Sequence, residues 1–259
     1  MAKVIAIANQ KGGVGKTTTA VNLSSCLAYK GKKVLIVDID PQGNTTSGLG
    51  IDKKTISKSI YDVLINDESI ENTFVNTVVD NLVLSPSNIQ LAGAEVELVS
   101  VISRENRMKM ALAAIKDKFD FILMDCPPSL GLLTVNSLTA SDTVLVPIQC
   151  EYYALEGLSQ LMNTVKLVQK HLNPALDVEG VVLTMFDART NLSLQVVDEV
   201  KKYFRNKVYR TVIPRNVRLS EAPSFGLPII MYDPKSKGSE CYLELAEEVI
   251  EYSEEVNRV

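Results

Sequence analysis

The strongest constraint on the fold is an alternation, along the whole chain, of short continuous apolar runs with longer helix-like stretches. The apolar runs lie at 4–8, 34–37, 82–84, 121–124, 143–146, 181–183 and 208–213. Runs without polar alternation are typical of strands buried on both faces, which occur in parallel sheets covered by helices. Helical stretches lie between them, at about 16–30, 88–99, 104–117, 153–172, 192–206 and 238–256. The sequence therefore predicts an α/β fold with a doubly wound, mostly parallel twisted sheet and helices on both faces.

The expected organisation is one domain spanning residues 1–259. No internal repeat, low-complexity tract or Pro/Gly/Ser-rich linker divides the chain. A domain of this length buries about three-quarters of the surface of its unfolded chain, so it needs neither a metal nor a disulfide to fold. Residues 50–80 are polar and weakly periodic, which predicts an irregular excursion with a short helix near 60–65.

Composition and spacing exclude several classes of protein. The chain has one histidine, which argues against a His-rich metal site and most His-based catalysis. No apolar run approaches the length of a membrane span, and the N-terminal run leads into a glycine loop, as a core strand does. Scattered cysteines without a C-x-x-C pair indicate reduced thiols in a cytoplasmic protein. These cysteines are Cys26, Cys126, Cys150 and Cys241.

A glycine-rich loop, NQKGGVGKTT over residues 9–18, follows the first apolar run and leads into a helical stretch. Its glycines let backbone N–H groups turn inward, and the helix N-terminus adds positive potential at the same place. This context predicts a P-loop NTPase in which Lys16 contacts the β- and γ-phosphates and Thr17 ligates Mg²⁺. The alternative is a tight turn with a solvated lysine. The predicted nucleotide-binding residues are Lys11, Gly12, Gly13, Val14, Gly15, Lys16, Thr17 and Thr18.

The loop departs from the ordinary phosphate-loop pattern, because Gln10 occupies the first glycine position and Lys11 adds a second lysine. The resulting K-G-G-x-G-K-T motif resembles the ParA/MinD group of ATPases, in which the first lysine reaches across a dimer to the partner's nucleotide. The resemblance implies that the nucleotide is ATP and that Lys11 couples nucleotide binding to dimer formation. The alternative is that Lys11 is a surface lysine of the loop.

Two aspartates follow the second apolar run, in the sequence VDIDPQGN at 37–44. Ligands of open α/β sheets bind beyond the carboxyl ends of the strands, so Asp38 and Asp40 are expected near the phosphates. The segment is similar to the D-x-D-P-Q switch of the ParA/MinD group. That similarity implies that Asp40 orients the attacking water, that Asp38 supports the Mg²⁺ shell and that Pro41 lies at the nucleotide. The alternative is an Asp-Pro turn that ends the strand.

The apolar run at 121–124 ends in Asp125, which is the Walker B arrangement. Asp125 is therefore expected to hold Mg²⁺ directly or through a water molecule. The following Pro-Pro-Ser-Leu-Gly segment resembles the second switch of the ParA/MinD group, which senses the γ-phosphate. Cys126 is interpreted as a small buried hydrophobic residue rather than a redox group.

Two later loops, 184–190 and 213–218, follow predicted strands and should rise beside the nucleotide. In the resembled family these loops flank the adenine. The resemblance therefore implies base contacts from Met185, Pro214 and Asn216.

Positive charge is concentrated in residues 185–237, where ten Lys and Arg stand against five Asp and Glu, giving +5, whereas the whole chain carries −4. A local basic zone favours salt-sensitive, sequence-tolerant binding to phosphate backbones, and a solvated basic face is the alternative. The loops MFDARTNLS and IPRNVRLSEAPSFG closely resemble the chromosomal ParA branch, also called Soj. In that branch, arginines at the positions of Arg189 and Arg218 contact DNA.

The resemblance implies a cytoplasmic, nucleoid-associated ATPase that moves chromosomes or plasmids. ATP and Mg²⁺ would close a homodimer that binds double-stranded DNA non-specifically, and a ParB/Spo0J-type centromere-binding partner would stimulate hydrolysis. Two alternatives share the loop: an electron-transfer ATPase resembling the nitrogenase iron protein, and a MinD-like regulator of division bound to a membrane. The C-terminal helix argues against membrane binding because anionic leaflets repel its glutamates, which are Glu240, Glu244, Glu247, Glu248, Glu251, Glu254 and Glu255.

Overall fold

The structure, a computed structural model, describes residues 1–151 and 156–256. Within these ranges one sheet contains the strands β1 (Lys3–Ile7), β2 (Val34–Asp38), β3 (Val75–Asn76), β4 (Leu82–Ser85), β5 (Phe121–Asp125), β6 (Thr143–Gln149), β7 (Asp177–Phe186) and β8 (Val208–Pro214). Their order across the sheet is β3-β4-β2-β5-β1-β6-β7-β8. Each neighbouring pair is parallel except β3 with β4. The predicted mostly parallel sheet is confirmed.

The described helices are α1 (Lys16–Tyr29), α2 (Asn44–Gly48), α3 (Ile60–Ile65), α4 (Leu91–Glu97), α5 (Arg107–Ala113), α6 (Leu132–Ala140), α7 (Glu156–His171), α8 (Asn191–Phe204), α9 (Val217–Glu221), α10 (Ile229–Tyr232) and α11 (Lys237–Val256). Short 3₁₀ turns lie at 70–73, 98–100, 104–106, 116–118, 205–207 and 222–225. The helix expected over 153–172 is observed from residue 156, and 153–155 lie outside the described residues.

Alternate residues of the central strands face two different helical layers. Val4 and Ala6 of β1 belong to the core on one side of the sheet, where α4 to α8 pack. Ile5 and Ile7 belong to the core on the other side, where α1 and α11 pack. Because both faces are buried, the strand needs no polar alternation, which explains the continuous apolar runs in the sequence.

The connections bring several loops to one edge of the sheet. The strand order reverses beside β1, with β5 and β2 on one side and β6 and β7 on the other. Since these strands are parallel, the loops after β1, β2, β5, β7 and β8 all leave from their carboxyl ends. In doubly wound sheets this reversal opens the crevice in which ligands bind.

The sequence expectation missed α6 and the short elements α2, α9, α10 and β3. Helix α6 carries buried polar residues on several sides, including Thr134, Asn136 and Thr139. A helix enclosed all round has no polar face, so its sequence lacks the 3.6-residue period by which an amphipathic helix is predicted. Residues 50–80 contain α3 as expected, together with the two-residue strand β3.

Helix α11 packs against α1 and β8 through apolar residues that include Leu245, Ala246 and Val249. Its glutamates up to Glu254 lie largely on the other side, although Glu248 is buried. In the described part of the chain, no helix combines the length and the apolar character that crossing a bilayer requires.

Candidate nucleotide-binding site

The glycine-rich loop connects β1 to α1, as the sequence predicts. Gly13 and Gly15 adopt left-handed backbone conformations, with φ of 75° and 90°, which favour glycine. Asn9 fixes the base of the loop. Its Oδ1 accepts from the Lys11 amide (3.0 Å) and its Nδ2 donates to the Pro147 carbonyl (2.7 Å). Asn9 is a structural residue of the site that the sequence interpretation did not identify.

The Lys16 ammonium lies within the loop, where it donates to the Lys11 carbonyl at 3.1 Å. Burial is the main influence on this group and lowers its pKa, whereas the negative charges of Asp125 and Asp40 oppose the shift. The ammonium is therefore held against the backbone of the loop. This arrangement suits a phosphate group.

Asp125 joins the phosphate loop to α2. Its Oδ2 accepts hydrogen bonds from Thr17 Oγ1 and Thr45 Oγ1, each at 2.8 Å, whereas its buried Oδ1 has no hydrogen-bond partner among the described residues. Burial raises its pKa to about 6, against the effect of the hydroxyls of Thr45 and Thr17. A buried carboxylate oxygen without a donor fits a divalent cation or a water bound to one, so these residues are suited to Mg²⁺.

Asp38 lies next to Asp125 in the register of β2 and β5. Its Oδ2 accepts from the Thr46 amide (2.8 Å) and Thr46 Oγ1 (2.7 Å), and its Oδ1 accepts from the Asp40 amide (3.2 Å). Burial, followed by the charge of Asp125, raises its pKa to about 7. Asp38 therefore holds the loop after β2, and a part for it in the Mg²⁺ shell stays a prediction.

Asp40 is buried at the start of that loop, and its Oδ1 accepts from the Gln42 amide at 2.9 Å. Its carbonyl accepts from the Gly43 amide at 2.8 Å, so Pro41 lies inside a tight turn. The negative charge of Asp40 also acts on Lys16, where it opposes the lowering of the pKa by burial. The segment therefore combines a tight turn with a carboxylate that interacts with the phosphate loop. The two sequence interpretations of this segment are therefore compatible.

A cleft of about 460 Å³ opens beside the phosphate loop and brings the three expected base-contact residues together. Its lining includes Gly15, Thr18, Thr184, Met185, Pro214 and Asn216. Met185 has a left-handed backbone with φ of 51°, which is strained for this residue type. Thr184 Oγ1 donates to the Val14 carbonyl at 2.8 Å and so fixes β7 to the loop. The sequence interpretation did not identify Thr184.

Arg189 and Arg218 follow the neighbouring strands β7 and β8, and each is exposed and paired with carboxylates. Arg189 bonds both oxygens of Asp187, at 2.9 and 2.7 Å. Arg218 lies 2.9 Å from Glu221 and 3.4 Å from Asp233. The structure places both arginines at the nucleotide edge of the sheet.

Helix α2 and the turn that follows it, which contains Gly50, contact the segment that follows α9. A Cβ atom on Gly226 would lie 2.5 Å from Gly50 Cα, and one on Gly50 would lie 2.9 Å from the Gly226 carbonyl oxygen. Both backbones are left-handed, with φ of 79° at Gly50 and 65° at Gly226. The two backbones are thus in direct contact.

The four cysteines are all buried. Burial raises the pKa of the Cys26 and Cys126 thiols to about 12 and that of Cys150 to about 11. Among the described residues no group of three or more His, Cys, Asp or Glu is arranged to hold a metal ion.

Known proteins have similar sequences and folds. A family described as an AAA domain matches residues 2–178. The sporulation initiation inhibitor protein Soj of Bacillus subtilis is 68% identical over 96% of this chain and 98% of its own length. The chromosome partitioning protein ParA of Myxococcus xanthus is 55% identical over 96% of this chain and 88% of its own length.

Among solved structures, the cobyrinic acid a,c-diamide synthase from Mycobacterium smegmatis with bound ADP and magnesium aligns with a TM-score of 0.87. It is 39% identical, and the alignment covers 98% of this chain and 96% of that chain. The family match and the sequence identities lead to one assignment. The chain belongs to the ParA/MinD group of AAA-domain ATPases, in its ParA/Soj branch.

Proposed function

We propose that this chain is a Mg²⁺-dependent ATPase that switches between DNA-bound and free states to segregate chromosomes or plasmids. One observation carries the proposal: Asp125, bonded to Thr17 of the phosphate loop, keeps a buried oxygen that has no donor among the described residues, and its charge acts on the Lys16 ammonium. The 68% identity with Soj supports the chromosomal role.

Each protein group has a defined part in the proposed reaction. Lys16 and the loop amides bind the phosphates, and Thr17 and Asp125 hold the Mg²⁺, which neutralises phosphate charge when bound. Asp40 orients the attacking water. Because phosphoryl transfer depends mainly on positioning and charge, these groups suffice without a histidine.

Dimer formation is assigned to Lys11, the first lysine of the loop. The backbone of Lys11 is fixed by Asn9 and Lys16, while its side chain forms no ion pair with the described residues. A lysine held at the backbone and free at its ammonium is suited to reach a nucleotide on a second copy. ATP would then close a homodimer with Lys11 acting in trans.

DNA binding is assigned to Arg189 and Arg218. Phosphate groups would replace the carboxylates that now pair with these arginines, so binding should be independent of sequence and sensitive to salt. We further propose a ParB/Spo0J-type partner that stimulates hydrolysis, and a location on the nucleoid in the cytoplasm.

The test is the retention of a labelled DNA duplex of arbitrary sequence in the presence of ATP or ADP. We expect ATP to confer binding, ADP to fail, and Lys16→Ala to abolish the effect of ATP. Equal retention with both nucleotides contradicts the proposal. The same preparations, mixed with anionic liposomes, test the MinD-like alternative, which predicts ATP-dependent flotation.

A further inference from the structure

Two adjacent threonines fasten α2 to the two buried aspartates of the site. Thr45 Oγ1 donates to Asp125 Oδ2 at 2.8 Å. Thr46 donates to Asp38 Oδ2 through its amide at 2.8 Å and through its Oγ1 at 2.7 Å. Both threonines are completely buried. A helix of five residues is not stable alone, so these bonds hold α2 against the sheet.

The hydroxyl of Thr45 bears on the orientation of Asp125. Thr17 and Thr45 both donate to Oδ2, one from the phosphate loop and one from α2, whereas Oδ1 has no donor in the described part of the chain. Two donors from different segments restrict rotation of the carboxylate and keep Oδ1 available to a cation. Loss of such an outer hydrogen bond typically lowers metal affinity by about 10- to 100-fold.

The hydroxyl of Thr46 bears on a different part of the site. It accepts from the Ser87 amide at 3.0 Å while it donates to Asp38. Asp38 in turn accepts from the amide of Asp40 at 3.2 Å. Thr46 therefore links Asp38 to the segment that follows β4, and Asp38 holds the backbone of Asp40, which is assigned to orient water.

We propose that Thr45 and Thr46 are positioning residues with separable effects. Thr45 orients Asp125 towards the divalent cation, and Thr46, through Asp38, places Asp40. This inference rests on the proposed function, since it requires a nucleotide site that depends on Mg²⁺. It predicts that two neighbouring hydroxyls control different steps, cation binding and turnover.

The first experiment measures binding of fluorescent ADP while Mg²⁺ is titrated, so that no hydrolysis is needed. Thr45→Val should raise the Mg²⁺ concentration for half-maximal tight binding by about 10-fold, and Thr45→Ser should restore most of the loss. Thr46→Val should titrate like the wild type; a raised Mg²⁺ requirement would place Asp38 in the Mg²⁺ shell and overturn the separation of the two effects. Thr139→Val is the matched control, because Thr139 is buried in α6 and its hydroxyl has no hydrogen-bond partner among the described residues.

The second experiment measures ATP hydrolysis at saturating Mg²⁺. Thr46→Val should lower kcat with KM unchanged, and Thr46→Ser should recover it, whereas a purely structural role would show as lost folded protein. If Thr45→Val does not fold, Thr45→Ala carries the same expectation. Wild-type Mg²⁺ dependence in a folded Thr45 variant overturns the inference. ADP binding by the wild type that ignores Mg²⁺ refutes the proposed function instead.

Discussion

The side-chain oxygen of Asn216 accepts a hydrogen bond from the backbone amide of Arg218 at 2.8 Å. Asn216 lines the cleft assigned to the base and is also the N-cap of α9. One residue therefore connects the base cleft with the helix that carries a proposed DNA contact. Only Val217 therefore separates the residue assigned to the base from the arginine that is proposed to contact DNA.

This relationship predicts that Asn216→Ala weakens both ATP binding and ATP-dependent DNA binding. Loss of the cap should cost about 1 kcal/mol of helix stability, and Asn216→Asp should keep the cap. Titration of fluorescent ATP and of labelled DNA measures the two effects. Normal DNA affinity in an Asn216→Ala protein saturated with ATP would contradict the connection.

Charge reversal at Arg189 or Arg218 should weaken DNA binding equally for every sequence tested. Each lost phosphate contact should reduce the slope of log affinity against log salt by about 1. Anisotropy with several duplexes over a range of salt measures both quantities. Lys118→Glu is the control, because Lys118 is exposed and precedes β5, at the opposite edge of the sheet. Unchanged binding in both arginine variants would place the DNA face elsewhere.

Asp40→Ala should leave ATP binding intact and lower kcat by about 100-fold or more, because a positioned carboxylate no longer orients the water. The variant should therefore accumulate as a dimer bound to DNA. Steady-state hydrolysis and analytical ultracentrifugation with ATP and Mg²⁺ measure the two properties. Rapid turnover by this variant would refute the part assigned to Asp40.

The buried aspartates predict how the stability of the nucleotide-free protein depends on pH. The raised pKa values of Asp38 and Asp125, about 7 and about 6, mean that the folded state binds these protons more tightly than the unfolded chain does. The free energy of unfolding should therefore increase as the pH falls from about 8 to about 5. Urea denaturation in EDTA measures it, and Asp38→Asn should flatten the curve. A wild-type curve that is already flat would contradict this origin.

The contribution of Glu248 to the free energy of unfolding should depend on pH in the opposite direction. Its carboxylate accepts from the amides of Arg210 (2.9 Å) and Thr211 (2.8 Å). Burial raises its pKa, but these hydrogen bonds and that of the Thr211 hydroxyl outweigh it, so the pKa falls below 4.5. The stabilisation is present above about pH 4.5 and is lost as the pH falls through the lowered pKa of Glu248.

Replacing Glu248 by Gln should therefore cost about 1.5–3 kcal/mol near neutral pH, the range for hydrogen bonds to a charged group. The difference from the wild type should shrink below about pH 4.5. Urea denaturation at the two pH values measures this, and Glu247→Gln, on the exposed side of α11, is the control. Equal stability of Glu248→Gln and wild type near neutral pH would contradict the contribution.

The sequence predicted the sheet well because buried parallel strands leave unbroken apolar runs, as at residues 4–8. It also located Lys16, Thr17 and Asp125 at one place, since each follows or ends a recognisable strand. It did not reveal Thr45, Thr46 or Thr184. A hydroxyl that bonds a residue far away in sequence has no local pattern, and threonine is common in turns for other reasons.

The contact between Gly50 and Gly226 joins the segment after α2 to the segment after α9. With no side chain on either residue, there is nothing that could bend or rotate to absorb a displacement of α2. A displacement of α2 would therefore either push the segment after α9 or separate the two backbones.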